Sequence, residues 1–299
     1  MKAVEPPFLF NADPDAAGGP CEARLALEFT DDQGVTRLTG RRHFGPLRVQ
    51  KALYPEHPSV CHAVVIHPPG GVVGGDRLRI DVDIGARANA LITTPGAAKW
   101  YKANGHVSRQ QISLRIGAGA ALEWLPQETI FFNRADVKLD HHVELAADAC
   151  YIGAEILCFG RTASGETFDC GRIAQHTSIR RDGRLLWWEQ GVLTGEGEAM
   201  HSALALDGCT VCATLIAVGA GDRPHPAELI ARLRGLQTEH LAAADPGAKT
   251  GVTQIKSLLT ARYLGHSSAA ARAWISACWQ QIRPALLARP AIVPRIWHT

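Results

Sequence analysis

The chain of 299 residues is long enough for one large domain or two ordinary ones, and 46% of its residues are hydrophobic, which is ample for a core. Its formal net charge of +2 at pH 7 excludes the broad basic field that nucleic-acid partners require. The N-terminus lacks the apolar core of a signal peptide, and the longest apolar stretch, CTVCATLIAVGAG (209–221), is too short to span a bilayer. We therefore predict a soluble, cytoplasmic protein with no nucleic-acid partner and no membrane partner.

The first residues carry little pattern. Residues 1–20 contain only a short apolar run, and we predict that they form a flexible N-terminal segment ahead of a single domain over residues 21–299. The first regular element is a hairpin in LALEFTDDQGVTRL (25–38), with its turn at Asp31–Gly34.

The stretch HPPGGVVGGD (67–76) has the glycine spacing of a phosphate-binding loop, from Gly70 to Gly75. Such a loop continues with Lys and Ser or Thr, whereas Asp76 and Arg77 follow here, and a carboxylate at this point would repel a phosphate. The next residues, RLRIDVDIG, alternate between charged and apolar side chains, which predicts a strand with one buried face. We interpret the loop as an architectural turn between two strands, close to Asp76.

Three segments of the chain share one pattern, in which an alternating strand, a turn of small residues and a second apolar strand follow each other. They are IDVDIGARANALITTPG (80–96), ISLRIGAGAALEWLPQ (112–127) and HHVELAADACYIGAEI (141–156). A repeat of this length is typical of stacked supersecondary units, each of which needs its neighbours to cover its apolar face. The predicted fold is therefore mainly β, a β-superhelix or solenoid-like stack of strands; a plain antiparallel sandwich is the alternative.

The last third of the chain changes character. TSIRRDGRLLWWEQ (177–190) contains the Asp-Gly pair of a tight hairpin, and from residue 225 the apolar residues recur at helical spacing. The predicted helices cover residues 225–240, 252–265 and 268–290, the last broken at Pro284. The domain is thus predicted to be β-rich over residues 21–222 and helical over residues 225–290.

Two groups of residues could carry chemistry. Cys209 and Cys212 have the spacing of a metal or redox pair, but they lie in an alternating apolar run without a second Cys or His pair at zinc-finger distance, which favours core positions. Several carboxylates lie in or beside apolar or glycine-rich stretches: Asp76, Glu128, Glu155, Glu166 and Glu189. A buried carboxylate is costly unless it is paired or hydrated. Two interpretations stay open, ion pairs with residues such as Lys99, Arg134 or Arg161, or a hydrated acidic passage for a cation.

Five segments in a fixed order carry a resemblance to a known family. They are CHAVVIHPPGGVVGGDRL (61–78), TTPGAAKWYKANG (93–105), LEWLPQETIFF (122–132), GRTASGETF (160–168) and ARYLG with RPALLARPAIVPRIWHT (261–299). Together they closely resemble the urease accessory protein family UreD, also called UreH. The resemblance runs from about residue 45 to the C-terminus.

This resemblance implies a non-catalytic scaffold in the maturation of nickel-dependent urease. It implies binding of UreF, of the GTPase UreG through UreF, and of urease apoprotein, together with a β-superhelix that ends in a few helices. It also implies that no cofactor is tightly bound and that a nickel ion is in transit through a water-filled tunnel with an acidic lining. The matching positions for this nickel passage are Asp76, Glu128, Glu166 and Glu189, and His67 is a further candidate ligand.

Two other function classes remain at this point. A metal-dependent hydrolase would use Asp76, His67 and Glu128, and it requires these three side chains to surround one cation. A plain β-solenoid binding module would lose nothing on removal of a carboxylate.

Overall fold

The computed structural model of this chain describes residues 20–236 and 243–298. The predicted flexible segment lies outside the described residues apart from Pro20, as does the end of the first predicted helix, residues 237–240. The described residues are mainly β-strands, arranged as a β-solenoid, so the predicted fold class is confirmed.

Two sheets face each other across the core. The first has seven strands: β1 (Glu22–Asp32), β2 (Val35–Phe44), β5 (Arg77–Ile84), β8 (Ser108–Ile116), β11 (Asp136–Leu145), β13 (Arg172–Arg181) and β14 (Arg184–Thr194). The second has ten strands: β3 (Arg48–Val49), β4 (Val60–Ile66), β6 (Asn89–Thr93), β7 (Ala98–Trp100), β9 (Ala121–Leu125), β10 (Thr129–Phe131), β12 (Cys150–Phe159), β15 (Val211–Val218), β16 (Lys249–Ile255) and β17 (Leu258–Gly265). In space the seven strands run in the order β14-β13-β11-β8-β5-β1-β2.

The predicted repeat forms the coils of the solenoid. Each repeat places its first strand in the seven-stranded sheet and its second strand in the ten-stranded sheet, so that β5–β6, β8–β9 and β11–β12 stack in parallel register. The corners between the strands also stack, because Gly85, Gly117 and Ala146 each donate a backbone N–H to the preceding coil at 2.8–2.9 Å. The small residues predicted at the turns therefore serve close stacking of one corner on the next.

The loop predicted to be architectural connects two coils. Gly75 has a φ of +94°, a conformation open to glycine, and a Cβ on Gly74 would meet the carbonyl oxygen of Ala103 at 1.7 Å. Val72, which lies between the two glycine pairs of the loop, donates its N–H to the carbonyl of Lys99 at 2.7 Å. The loop is thus fixed by backbone contacts to a neighbouring coil.

Three α-helices lie in the described ranges, and they are short except for the last: α1 (Glu198–His201), α2 (Ala227–Arg234) and α3 (Ser268–Leu287). The predicted last helix is confirmed, but it is not broken at Pro284 and ends at Ala288, which has a φ of +52°. Ser267 caps its start by accepting the N–H of Ala270 at 3.1 Å. In the two described ranges, none of the helices has the length and apolar character needed to cross a membrane.

The helix predicted over residues 252–265 is wrong. This segment forms an antiparallel hairpin of β16 and β17, which turns at Lys256 and Ser257. Apart from the exposed Arg262, the β17 strand is largely buried on both faces, because one face meets the inter-sheet core and the other is covered by α3. A strand buried on both faces has a continuous apolar run, and periodicity cannot distinguish that run from a buried helix.

Two apolar clusters hold the layers together. The larger one fills the space between the two sheets, and the smaller one lies between the outer face of the ten-stranded sheet and helices α2 and α3. The ten-stranded sheet is therefore covered on both faces, whereas the seven-stranded sheet has one face turned to solvent.

A buried ionic network fixes α3 on the sheet. Arg283, which is fully buried, donates from Nε to both oxygens of Glu123 at 2.9 and 3.0 Å and from Nη2 to Glu56 at 2.7 and 3.0 Å. Trp279 donates to Glu123 at 2.6 Å, and His62 lies 2.7 Å from Glu56. Burial works to raise the pKa of Glu56, but the hydrogen bonds from His62 and Arg283 outweigh it and lower that pKa.

We expect Arg283→Met to destabilise the protein by about 3–5 kcal/mol, because it leaves two buried carboxylates without their partner. Urea unfolding at pH 7 measures this loss. The matched control is Arg42→Met, which removes an exposed ion pair with Glu28 and should cost less than about 1 kcal/mol. Equal losses in the two variants would show that the network does not hold the helix in place.

Candidate functional site

A row of three adjoining cavities lies between the two sheets; we call them the inter-sheet cavities. Their volumes are about 230, 60 and 30 Å³, so each can hold at least one water molecule. The first and second share Gln110 and Trp124 in their walls, and the second and third share His141 and Glu155. The row crosses the strands, starting between β4 and β5 and ending between β14 and β15.

The first cavity is the largest and reaches the surface. Its walls are mostly apolar, and its mouth lies between the glycine-rich loop and the loop that precedes β7, where Gly70, Gly96 and Lys99 are exposed. His67 also lines this cavity. Burial lowers the pKa of His67, and the nearby Asp76 works against that shift, so its imidazole is an uncharged potential ligand at neutral pH.

Glu155 lies at the junction of the second and third cavities and is their central polar group. Both of its oxygens accept hydrogen bonds from Nε2 of Gln175 at 2.8 Å. Burial and the charge of Glu189 raise the pKa of Glu155 to about 7, against the effects of Gln175 and Arg262. A carboxyl group with this pKa exchanges a proton near neutral pH, so a cation can compete with that proton.

His141 lies beside Glu155 in the same walls. Its Nε2 lies 3.3 Å from the hydroxyl of Tyr151, and its ring meets Trp124 edge-on at 6.2 Å. Burial and the neighbouring His142 lower the pKa of His141 to about 4, which leaves the ring neutral at pH 7.

Glu189 closes the third cavity at the other end of the row. It pairs there with Arg262, and about a third of its side chain is exposed. Of the five residues predicted for the nickel passage, His67 and Glu189 therefore line the inter-sheet cavities, at opposite ends.

Asp76 lies outside the inter-sheet cavities. It is 5% exposed and accepts backbone N–H groups from Cys21 at 2.9 Å and Val73 at 3.0 Å. Both carboxylate oxygens are thus engaged by the backbone. Asp76 closes the turn after the glycine-rich loop, and it ties β5 to the start of β1.

Glu128 and Glu166 also lie outside the inter-sheet cavities, in ion pairs. Glu128 pairs with Arg272 of helix α3, on the helix side of the ten-stranded sheet. Glu166 pairs with Arg161 at 2.6 Å in a surface loop. Of the two interpretations of the carboxylates, ion pairs are correct at these two positions, and Arg161 is one of the partners named from the sequence.

The alternative hydrolase centre is not formed. The metal-binding atoms of Asp76, His67 and Glu128 do not lie within 4.8 Å of one another, so they cannot surround one cation. Cys209 and Cys212 are free thiols that pack in or against the core, as predicted, and burial raises the pKa of Cys212 to about 12.

The sequence did not identify Glu155, His141 and Gln175 as a set. The available signal was alternation, since Glu155 falls on the same face of CYIGAEILCF as the core residues Tyr151 and Phe159. A carboxylate on the inward face of a core strand needs a polar cavity or a partner. Gln175 lies on the opposite sheet, and nothing in the local sequence marks it.

Fold and cavities together define a β-solenoid protein with a row of largely apolar cavities between its sheets, in which a few polar side chains are placed. The chain belongs to the UreD family: residues 21–298 match the family described as UreD urease accessory protein. It is 64% identical over 278 residues to the "Urease accessory protein UreD" of Janthinobacterium sp. (strain Marseille), covering 93% of this chain and 92% of that protein. It is 53% identical over 284 residues to the protein of the same name from Nitrosospira multiformis, covering 95% of this chain and 100% of that protein. A role in urease maturation follows from this membership.

We expect Asp76→Ala to lower the stability by about 1–3 kcal/mol, because the backbone N–H groups of Cys21 and Val73 lose the buried acceptor that they share. Asp76→Asn is the matched control, since its amide oxygen still accepts one of the two hydrogen bonds and its loss should be smaller. Urea unfolding of both variants measures the difference. An Ala variant as stable as the unchanged protein would contradict the structural role of this carboxylate.

We expect Glu155→Gln to raise the stability above pH 7. The folded-state pKa of about 7 lies above the unfolded value of 4.5, so the contribution of Glu155 is fully present below about pH 4.5 and is lost as the pH rises through 7. The amide does not titrate, so its contribution to the free energy of unfolding does not change with pH. The variant should therefore be more stable than the unchanged protein by about 1–3 kcal/mol at pH 8 and by little at pH 5. Urea unfolding at both pH values measures this, and an equal difference at pH 5 and pH 8 would contradict it.

Proposed function

We propose that this chain is a non-catalytic scaffold of urease maturation and that a nickel ion crosses its inter-sheet cavities on the way to urease. In this proposal the chain binds UreF, through UreF the GTPase UreG, and urease apoprotein. It holds no tightly bound cofactor, since nickel is its cargo. The cytoplasmic location stays a prediction of the sequence.

The position of Glu155 is the observation that carries the proposal. It places one carboxylate at the junction of the second and third cavities, where it is bonded to the amide of Gln175 and shares the walls with the neutral imidazole of His141. Nickel accepts carboxylate, imidazole and water as ligands. A single carboxylate with a few neutral neighbours binds a divalent ion more weakly than a closed set of four ligands does, and a passage must release what it binds.

The two ends of the row fit the same role. His67 offers an uncharged ring beside the mouth of the first cavity, and Glu189 offers a carboxylate at the far end. Glu189 is shared with Arg262, so its negative charge is partly balanced until a cation arrives. The three groups are thus spaced along the row, and none of them belongs to a common ligand set.

The partners rest on family membership. The matched relatives are named urease accessory proteins, and this name supports partners among the other urease maturation factors. A plain β-solenoid binding module remains the second candidate, because the exposed face of the seven-stranded sheet could bind a partner without any cation passing through the protein.

The test uses Glu155→Gln, which keeps the size of the side chain and is expected to stabilise the protein. Produced together with urease and its other maturation proteins, the variant should bind them normally but lower the nickel content and the activity of urease several-fold. Pull-down, metal analysis of purified urease and urease activity are the three measurements. The matched control is Glu166→Gln, which changes a half-buried carboxylate in a surface loop outside the cavities.

A steric variant tests the same passage without a change of charge. A Cβ on Gly96 would meet nothing within 4 Å, so Gly96→Trp can cover the mouth of the first cavity without strain, whereas Gly96→Ala leaves it open. We expect only the Trp variant to lower nickel loading. Normal loading with both Glu155→Gln and Gly96→Trp would refute the passage and leave the plain binding module.

A further inference from the structure

Three side chains with metal-binding atoms meet on the outer face of the seven-stranded sheet. Asp140 and His142 lie two residues apart on β11 and so share a face, and His176 lies opposite Asp140 on the parallel neighbour β13. One ligand atom from each lies within 4.8 Å of the other two. This is the one group in the two described ranges where three such side chains come together.

The neighbours of this group orient the two imidazole rings. Nδ1 of His142 lies 2.9 Å from the hydroxyl of Ser178, so Nε2 is the ring nitrogen that is left to bind a metal ion. The ring of His176 packs against Trp188 with 4.2 Å between the ring centroids. Nε2 of His176 is buried and has no hydrogen-bond partner, although buried polar atoms are normally satisfied.

We propose that Asp140, His142 and His176 bind a divalent first-row transition-metal ion such as Ni²⁺ or Zn²⁺. Two imidazoles and one carboxylate are ligands that these borderline ions prefer, whereas Mg²⁺ and Ca²⁺ prefer oxygen alone. The ring nitrogen of His176 that faces the carboxylate is Nδ1, which lies 3.7 Å from Oδ1 of Asp140 and can bind the same ion. Three protein ligands leave coordination positions open, so the ion is exchangeable with solvent or with a second protein.

This site adjoins the second inter-sheet cavity, because Asp140 and His176 also border that cavity, whereas His142 borders none of the three. His141, between Asp140 and His142 in the chain, alternates to the other face of β11 and borders the second and third cavities. The proposal uses none of His67, Glu155 and Glu189, so it does not rest on the proposed nickel passage, and either can fail alone.

Lys138 determines how strongly the site can bind. Its Nζ lies 3.3 Å from Oδ2 of Asp140, and the other carboxylate oxygen lies 3.7 Å from Nδ1 of His176. A metal ion must compete with this ammonium group for the carboxylate. Removal of the ammonium group should strengthen metal binding, an effect that a merely structural His–Asp cluster would not produce.

Trp188 supplies the signal for the test. It is 51% exposed and touches His176, so its fluorescence should be quenched when paramagnetic Ni²⁺ binds beside that ring. The full chain is titrated with nickel chloride alone, and the Trp188→Phe variant identifies the part of the quenching that comes from this residue. Equilibrium dialysis with the same salt measures binding independently of fluorescence.

We expect the double variant His142→Ala/His176→Ala to weaken the Trp188-reported affinity for Ni²⁺ by more than about tenfold. Lys138→Gln should strengthen it. His57→Ala, which removes an exposed histidine elsewhere, should leave the affinity unchanged. Circular dichroism and thermal unfolding confirm that each variant is folded.

Two results would overturn the proposal. One is the absence of Trp188-dependent quenching together with dialysis binding that the double histidine variant does not reduce. The other is weaker binding in Lys138→Gln, which would show that the cluster does not use the carboxylate as a ligand. Glu155→Gln changes none of the three ligands and should keep this site intact. Its Ni²⁺ titration therefore distinguishes a failure of this site from a failure of the passage.

Discussion

The arrangement of the layers depends on the ion pairs of Arg283. This side chain is fully buried and joins Glu123 on a central strand to Glu56 in the segment before β4, while Trp279 on the same helix donates to Glu123 as well. Buried charges are tolerated only when each has an oppositely charged partner, because an unpaired charge removed from water strongly destabilises the fold. The network therefore holds α3 in position on the sheet, where the apolar side chains of the helix pack against the strands.

The helices cover only the outer face of the ten-stranded sheet, so the inter-sheet cavities lie on its inner face. Because helices α2 and α3 occupy one face of the ten-stranded sheet, its other face and the seven-stranded sheet form a separate core, and the polar groups in that core lie along one row. Glu128 and Glu155 illustrate the difference. Glu128 faces the helix and is neutralised by an arginine, whereas Glu155 faces the interior and is held by an amide, which leaves its proton exchangeable.

Local patterns predicted the fold better than the site. The alternation in RLRIDVDIG and the three repeats were sufficient for β5, β8, β11 and their partners, because strands with one buried face carry their own signature. The largely buried β17 has no such signature, and its apolar spacing predicts a helix. Partners are harder to predict. Gln175 and His176 meet their neighbours through the register of the coils, and Arg272 meets Glu128 through the packing of α3 on the sheet, and local sequence spacing indicates neither arrangement.

The stacked coils have a consequence for the size of the protein. Each coil contributes one strand to each sheet, and adjacent strands lie about 4.8 Å apart. Since the cavities run across the strands, the distance between their two ends is set by the number of strands from β5 to β14, independently of which side chains line them. Insertion or loss of a whole coil would keep the corners stacked and change the length of the cavity row by one strand spacing. The number of coils therefore determines that length.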